Sequence, residues 1–138
     1  TSNEGAGEFQ DLKASKEGEE ELPLYQHVAK NAQNDEKWNT YSNVGLVVGA
    51  TYPKEAAAVR EIAPDLSHLV PGVGHQPGDL REAVAASADE KLGNFIINSS
   101  RSIIFASDGA DFADQAREAA MTLRVHINDV LNELVQEG

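Results

Sequence analysis

Two stretches of the sequence have the residue types needed to hold an anion. The first is Pro71-Gly72-Val73-Gly74-His75-Gln76-Pro77-Gly78-Asp79, with three glycines and two prolines in nine residues. Such a frame is stiff and leaves amide groups bare, so it can approach a phosphate closely, and Gln76 can donate to it. The bland alternative is a Gly/Pro-rich connection with no ligand, since loops of this kind are common. The second stretch is Asn98-Ser99-Ser100-Arg101-Ser102, which directly follows an apolar run. A guanidinium beside the first-turn amides of a short helix suits a phosphate dianion. Arg101 could equally pair with one of the many carboxylates.

Other chemistries find less support. The sequence has no cysteine, which removes disulfides and thiolate metal sites. Its four histidines, His27, His68, His75 and His126, fall in separate segments and form no HxxxH or HExxH pair. No metal site and no cofactor are therefore expected. The 23 acidic residues against 11 basic ones give a net charge of −12. A surface this acidic repels nucleic acid and anionic membrane, so neither is an expected partner. An anionic small molecule would need a local positive site set against the global field. The acidity serves solubility, or else adaptation to high salt, where self-repulsion is screened. No apolar stretch approaches membrane-span length and no basic n-region precedes an apolar h-region, so, absent a removed leader, a cytoplasmic protein is expected.

The elements that must position these loops follow from the periodicity. Gly5 to Glu21 reads as a solvated loop. Pro23 suits a helix first turn, and Leu24, Val28 and Ala32 recur at helical spacing to about Asn34. After a turn at Asn39–Asn43 comes Val44–Val48, continuous rather than alternating, as in parallel strands buried on both faces. Pro53 opens a helix over about 54–62, and His68-Leu69-Val70 is a short strand. Asp79 is a plausible N-cap for a helix over 80–88, and Asn94–Asn98 is another strand. Asp111 caps a last helix whose Phe112, Ala116, Ala119, Ala120, Leu123, Ile127, Val130, Leu131 and Leu134 keep helical spacing. Short strands alternating with helices predict an α/β fold with a parallel sheet. In (β/α)8 barrels, phosphate sites often lie between the loops after the seventh and eighth strands, beside a short extra helix. The Ile103–Ala106 turn fits that helix. With 138 residues the chain is too short for a whole barrel, which usually needs at least about 200.

Four motifs in order make the reading specific: Thr1-Ser2-Asn3, Val44–Thr51, Leu69–Asp79 and Ile97–Ile103. Their order and spacing resemble those of orotidine 5'-monophosphate decarboxylases, in the longer bacterial and archaeal branch. The terminal helix, with Asp111-Phe112-Ala113 and Leu123-Arg124, also looks like that family's last helix. The resemblance covers nearly the whole chain. It implies one partial domain over residues 1–138, the C-terminal half of a (β/α)8 barrel from the end of strand five onward. It also implies a nucleotide ligand (OMP or UMP), no cofactor, and a homodimer in the complete enzyme. Position by position, Gln76 resembles the glutamine bridging phosphate and pyrimidine. Arg101 resembles the phosphate arginine, with the amides of Ser100 and Arg101 as co-donors. Ser2 resembles the serine bonded to the pyrimidine amide edge, and Pro71 and Gly72 would shape the pocket wall. His75-Gln76-Pro77 departs from the pattern, in which a small residue precedes the glutamine and a glycine follows it.

One family signature is absent. The Asp-x-Lys-x-x-Asp array, whose lysine protonates the carbon that loses CO2, does not occur in this sequence. Asp11-Leu12-Lys13, Asp35-Glu36-Lys37 and Asp89-Glu90-Lys91 fail its spacing and read as solvated surface. The chain alone is therefore expected to be catalytically inactive. Two rival readings stand beside this one: another phosphate-binding (β/α)8 enzyme acting on a sugar phosphate, and a non-catalytic half-barrel.

Overall fold

The structure is a computed structural model and describes residues 4–15, 18, 20–73 and 77–137. A 3-10 turn at Glu4–Ala6 leads into the short helix α1 (Gly7–Gln10). β1 (Lys13–Ala14) and β2 (Leu22–Pro23) then pair antiparallel. The segment expected as plain loop thus folds back on itself. Pro23 closes this ribbon and caps helix α2 (Leu24–Gln33) with an extended ψ of 147°, rather than entering its first turn.

From there the chain repeats strand and helix. β3 (Gly45–Val47), α3 (Pro53–Ile62), β4 (Ser67–Pro71), α4 (Pro77–Ser87) and β5 (Phe95–Asn98) make two consecutive β-α-β units. The strands are parallel and stand in chain order, β3-β4-β5. That order steps one way around a sheet, as in a (β/α)8 barrel, with no reversal point. The four-residue helix α5 (Arg101–Ile104) and the 26-residue α6 (Phe112–Glu137) complete the chain. Helix α4 starts at Pro77, two residues before the expected cap, because a proline's fixed φ and missing N–H suit a first turn. Asp79 lies in that first turn instead, where a carboxylate favours the helix dipole.

Two apolar clusters join the helices to one face of the sheet. Ala29, Ala32, Val48, Ala56, Val59, Ala63 and Leu66 pack α2 and α3 against β3. Ala50, Val70, Val73, Leu80, Ala83, Val84 and Val130 join α4 and α6 to β4, with Leu123, Ile127, Leu131 and Leu134 closing over them. The many alanines let helix and sheet approach closely. On α6 the periodicity therefore identified most of the packing stripe, although Phe112 and Ala120 are exposed.

The opposite face of the sheet is bare. Val47, Leu69 and Ile96 stand side by side in the strand register and are 65%, 39% and 64% exposed. The expectation of strands buried on both faces therefore fails: the described residues supply helices for one face only. Leu24 and Val28 are likewise half exposed rather than core, because they border an open groove beside the edge strand β3.

At the amino-terminal end of the sheet a single side chain joins the loops. Arg60 of α3 donates to the carbonyls of Pro64, Leu66, Ser87 and Asn94 at 2.5–3.0 Å. Burial lowers its pKa, and Asp89 partly offsets that. Asp89 in turn accepts from the amides of Lys91 and Gly93, both at 2.9 Å, and these bonds hold its carboxyl below the usual range. His68 lies wholly buried on β4, and neither ring nitrogen has a hydrogen-bond partner among the described residues.

Candidate functional site

At the carboxyl end of the sheet, the register sets Pro71 of β4 beside Asn98 of β5. The loops leaving these two strands are therefore neighbours from their first residue. Pro71 is half-buried, and its carbonyl accepts from Ala50 N at 2.9 Å, which ties the loop after β3 to the same rim. Gly72 turns the chain with φ +89°. An added Cβ there would meet nothing within 4 Å, so glycine is required by the backbone conformation and not by space.

After β5 the chain tightens into α5. Ser100 O accepts from Ile103 N at 3.2 Å and Ile104 N at 2.8 Å. The hydroxyls of Ser99 and Ser102 bond each other at 2.5 Å and pin the turn. Between the two loops lies an open cavity of about 240 Å³ lined by Gly72, Val73 and Asn98 to Ser102. At about 30 Å³ per water this volume exceeds a phosphate group and leaves room for part of a larger ligand.

Arg101 is exposed on the rim of this cavity, and no carboxylate pairs with it among the described residues. The pairing that its residue type left open is thus not made, even in a chain with 23 acidic residues. A guanidinium with no ion pair among the described residues, a hydroxyl at Ser100 and the backbone of Gly72 thus border one cavity, and these are donor types suited to an oxyanion. Of the residues singled out in the sequence, Gly72, Ser100 and Arg101 line one cavity and Pro71 abuts it. Ser2 and Gln76 lie outside the described residues. Sequence reasoning missed the lining roles of Val73, Asn98, Ser99 and Ser102. The signal was present in β5, where alternation puts Phe95 and Ile97 toward the helices and Ile96 and Asn98 on the bare face.

The three acid–lysine stretches lie away from the cavity. Asp11, Lys13, Asp35 and Lys37 are exposed, as expected of solvated surface. Asp89 is the exception, since it organises the loop between α4 and β5. Among the described residues no group of three or more His, Cys, Asp or Glu is placed to hold a metal ion. Also among them, no helix is long and apolar enough to cross a membrane.

Parallel strands in chain order, helices on the outer face and an open cavity at the strands' carboxyl ends define part of a (β/α)8 barrel. Comparison with known proteins narrows the class. The family model for "Orotidine 5'-phosphate decarboxylase / HUMPS family" matches residues 1–116, and the chain belongs to that family. It is 47% identical to an orotidine 5'-phosphate decarboxylase of Cellvibrio japonicus, over 93% of this chain and 44% of that protein. It is also 47% identical to one of Thermomicrobium roseum, over 100% of this chain and 47% of that protein. The solved OMP decarboxylase of Leishmania donovani superposes with a TM-score of 0.69 at 34% identity, over 92% of this chain and 45% of that one. The chain thus spans about half the length of the curated relatives it matches.

Proposed function

We propose that this chain supplies the phosphate- and pyrimidine-binding half of an orotidine 5'-phosphate decarboxylase, which converts OMP to UMP and CO2 in pyrimidine biosynthesis. The observation that carries the proposal is the unpaired Arg101 in a cavity shared with Gly72 and Ser100, in a chain of this family. On this reading Arg101 and the Ser100–Arg101 amides grip the phosphate, while Pro71 and Gly72 shape the wall. Gln76 closes over the phosphate from the loop after β4, and Ser2 reads the pyrimidine edge. Residues 1–138 form one partial domain, and its reaction needs no metal or cofactor. The complete enzyme would be a cytoplasmic homodimer.

The chemistry of the split is simple. A remote phosphate provides binding energy that can drive loop closure and organise the reacting end of the substrate. The groups that would act on the departing carboxylate belong to the Asp-x-Lys-x-x-Asp array, which this sequence lacks. The isolated chain should therefore bind UMP without decarboxylating OMP, and adding the complementary half should restore turnover. Decarboxylation by the chain alone would refute this division of labour.

The direct test is calorimetric titration of UMP into the chain, over a range of salt concentrations, beside Arg101→Ala. Binding by the first and not the second supports the reading; a folded chain that binds no UMP overturns it. One observation favours a second reading, an enzyme of another sugar phosphate: the residue proposed to read the pyrimidine, Ser2, is not among the lining residues of this cavity, which include those proposed to grip the phosphate. Competition by ribose 5-phosphate as strong as that by UMP would establish that alternative.

A further inference from the structure

We infer that Asn98 is an additional ligand-binding and specificity-determining residue of this cavity, with its side-chain amide donating to the phosphate that Arg101 holds. The inference rests on the phosphate-binding reading above and extends it to a residue not previously given a role. Three observations converge on it. Asn98 is the last residue of β5 and stands on the bare face of the sheet, directly beside Pro71. It lines the same cavity as Gly72, Ser100 and Arg101. Its side chain is exposed and has no hydrogen-bond partner among the described residues, whereas Ser99 and Ser102 use their hydroxyls on each other.

The chemistry of its surroundings explains why an amide belongs there. Below Asn98 on the same face, Ile96, Leu69 and Val47 offer nothing polar, so the boundary between apolar floor and polar rim falls at this residue. A neutral donor can add to the grip of Arg101 without bringing a second charge. A carboxylate of the same shape would face the dianion with like charge in a chain already at −12. Because the Asn98 side chain makes no hydrogen bond among the described residues, and its strand pairing with Pro71 is main-chain, replacing it should change binding and leave folding alone.

The experiment is titration of UMP, and separately of inorganic phosphate, into the chain and into Asn98→Ala, Asn98→Asp and Arg101→Ala, with thermal unfolding of each. The expected result is a loss of about tenfold in UMP affinity for Asn98→Ala and about a hundredfold or more for Asn98→Asp. Phosphate should weaken in the same order, and the melting midpoints of both Asn98 variants should match the unmodified chain. If both Asn98 variants bind UMP as the unmodified chain does while Arg101→Ala does not, Asn98 has no such role and the phosphate reading stands. If the folded, unmodified chain binds neither ligand, this inference falls together with the reading beneath it.

Discussion

Two arginines sit at opposite ends of the same three strands, and their surroundings differ in nearly every respect. Arg60, at the amino end, makes five hydrogen bonds to four main-chain carbonyls, and burial opposes its charge. Arg101, at the carboxyl end, makes no ion pair among the described residues and faces an open cavity. The first guanidinium has its donors saturated by the protein, so it can only hold loops. The second has no ion pair among the described residues, so its donors remain available to solvent or to a ligand. In β/α barrels the two ends divide stability and chemistry in this way.

The largest effect that would break this contrast concerns Arg101. Arg101→Ala should weaken UMP binding by about 2–5 kcal/mol with no change in the unfolding midpoint, by calorimetry and thermal melts. A variant that melts early would make Arg101 a structural residue like Arg60. Conversely, Arg60→Ala should destabilise the fold by about 2–4 kcal/mol in chemical denaturation, because buried carbonyls lose their donors. Arg60→Lys should recover only part of that loss, since an ammonium cannot reproduce the fork.

His68 sharpens the same comparison, because it lies buried within reach of the charge on Arg60. Burial, aided by that charge, lowers its pKa from 6.5 to about 4. The unfolded chain therefore binds the proton more readily than the folded one. The stability this group contributes is complete above pH 6.5 and falls as pH drops toward 4, by about 3 kcal/mol in all. Denaturation midpoints at pH 7 and pH 4.5 should show the loss, and His68→Leu should flatten it. The smallest effect is at Gly72, where φ +89° would strain any side chain. Gly72→Ala should cost about 1–2 kcal/mol in stability and lower UMP affinity by tilting the rim.

Much of the barrel fragment was legible because its strands are short, apolar and separated by helical periods. The two loops that border the cavity were legible because glycine, proline and arginine are unusual directly after such strands. Arg60 was not legible: the carbonyls it binds come from residues 64 to 94, and no local pattern announces that four backbone groups will converge on one side chain. The β1–β2 ribbon was hidden for another reason. Two-residue strands carry too few positions for alternation to register, so Lys13 and Ala14 read as loop. Asn98 lay inside a quoted motif, yet only the strand register shows which of its neighbours share its face.

The bare row of Val47, Leu69 and Ile96 gives the chain an unusual colloidal character. An apolar stripe bounded by strand edges that are unpaired among the described residues would draw copies together, while a charge of −12 would hold them apart. The reach of that repulsion shrinks from about 30 Å in 0.01 M salt to about 3 Å in 1 M. Scattered light should therefore rise with salt at constant protein concentration, and Val47→Lys should abolish the rise. For this molecule, ionic strength would act as the dial that sets how long it remains dispersed.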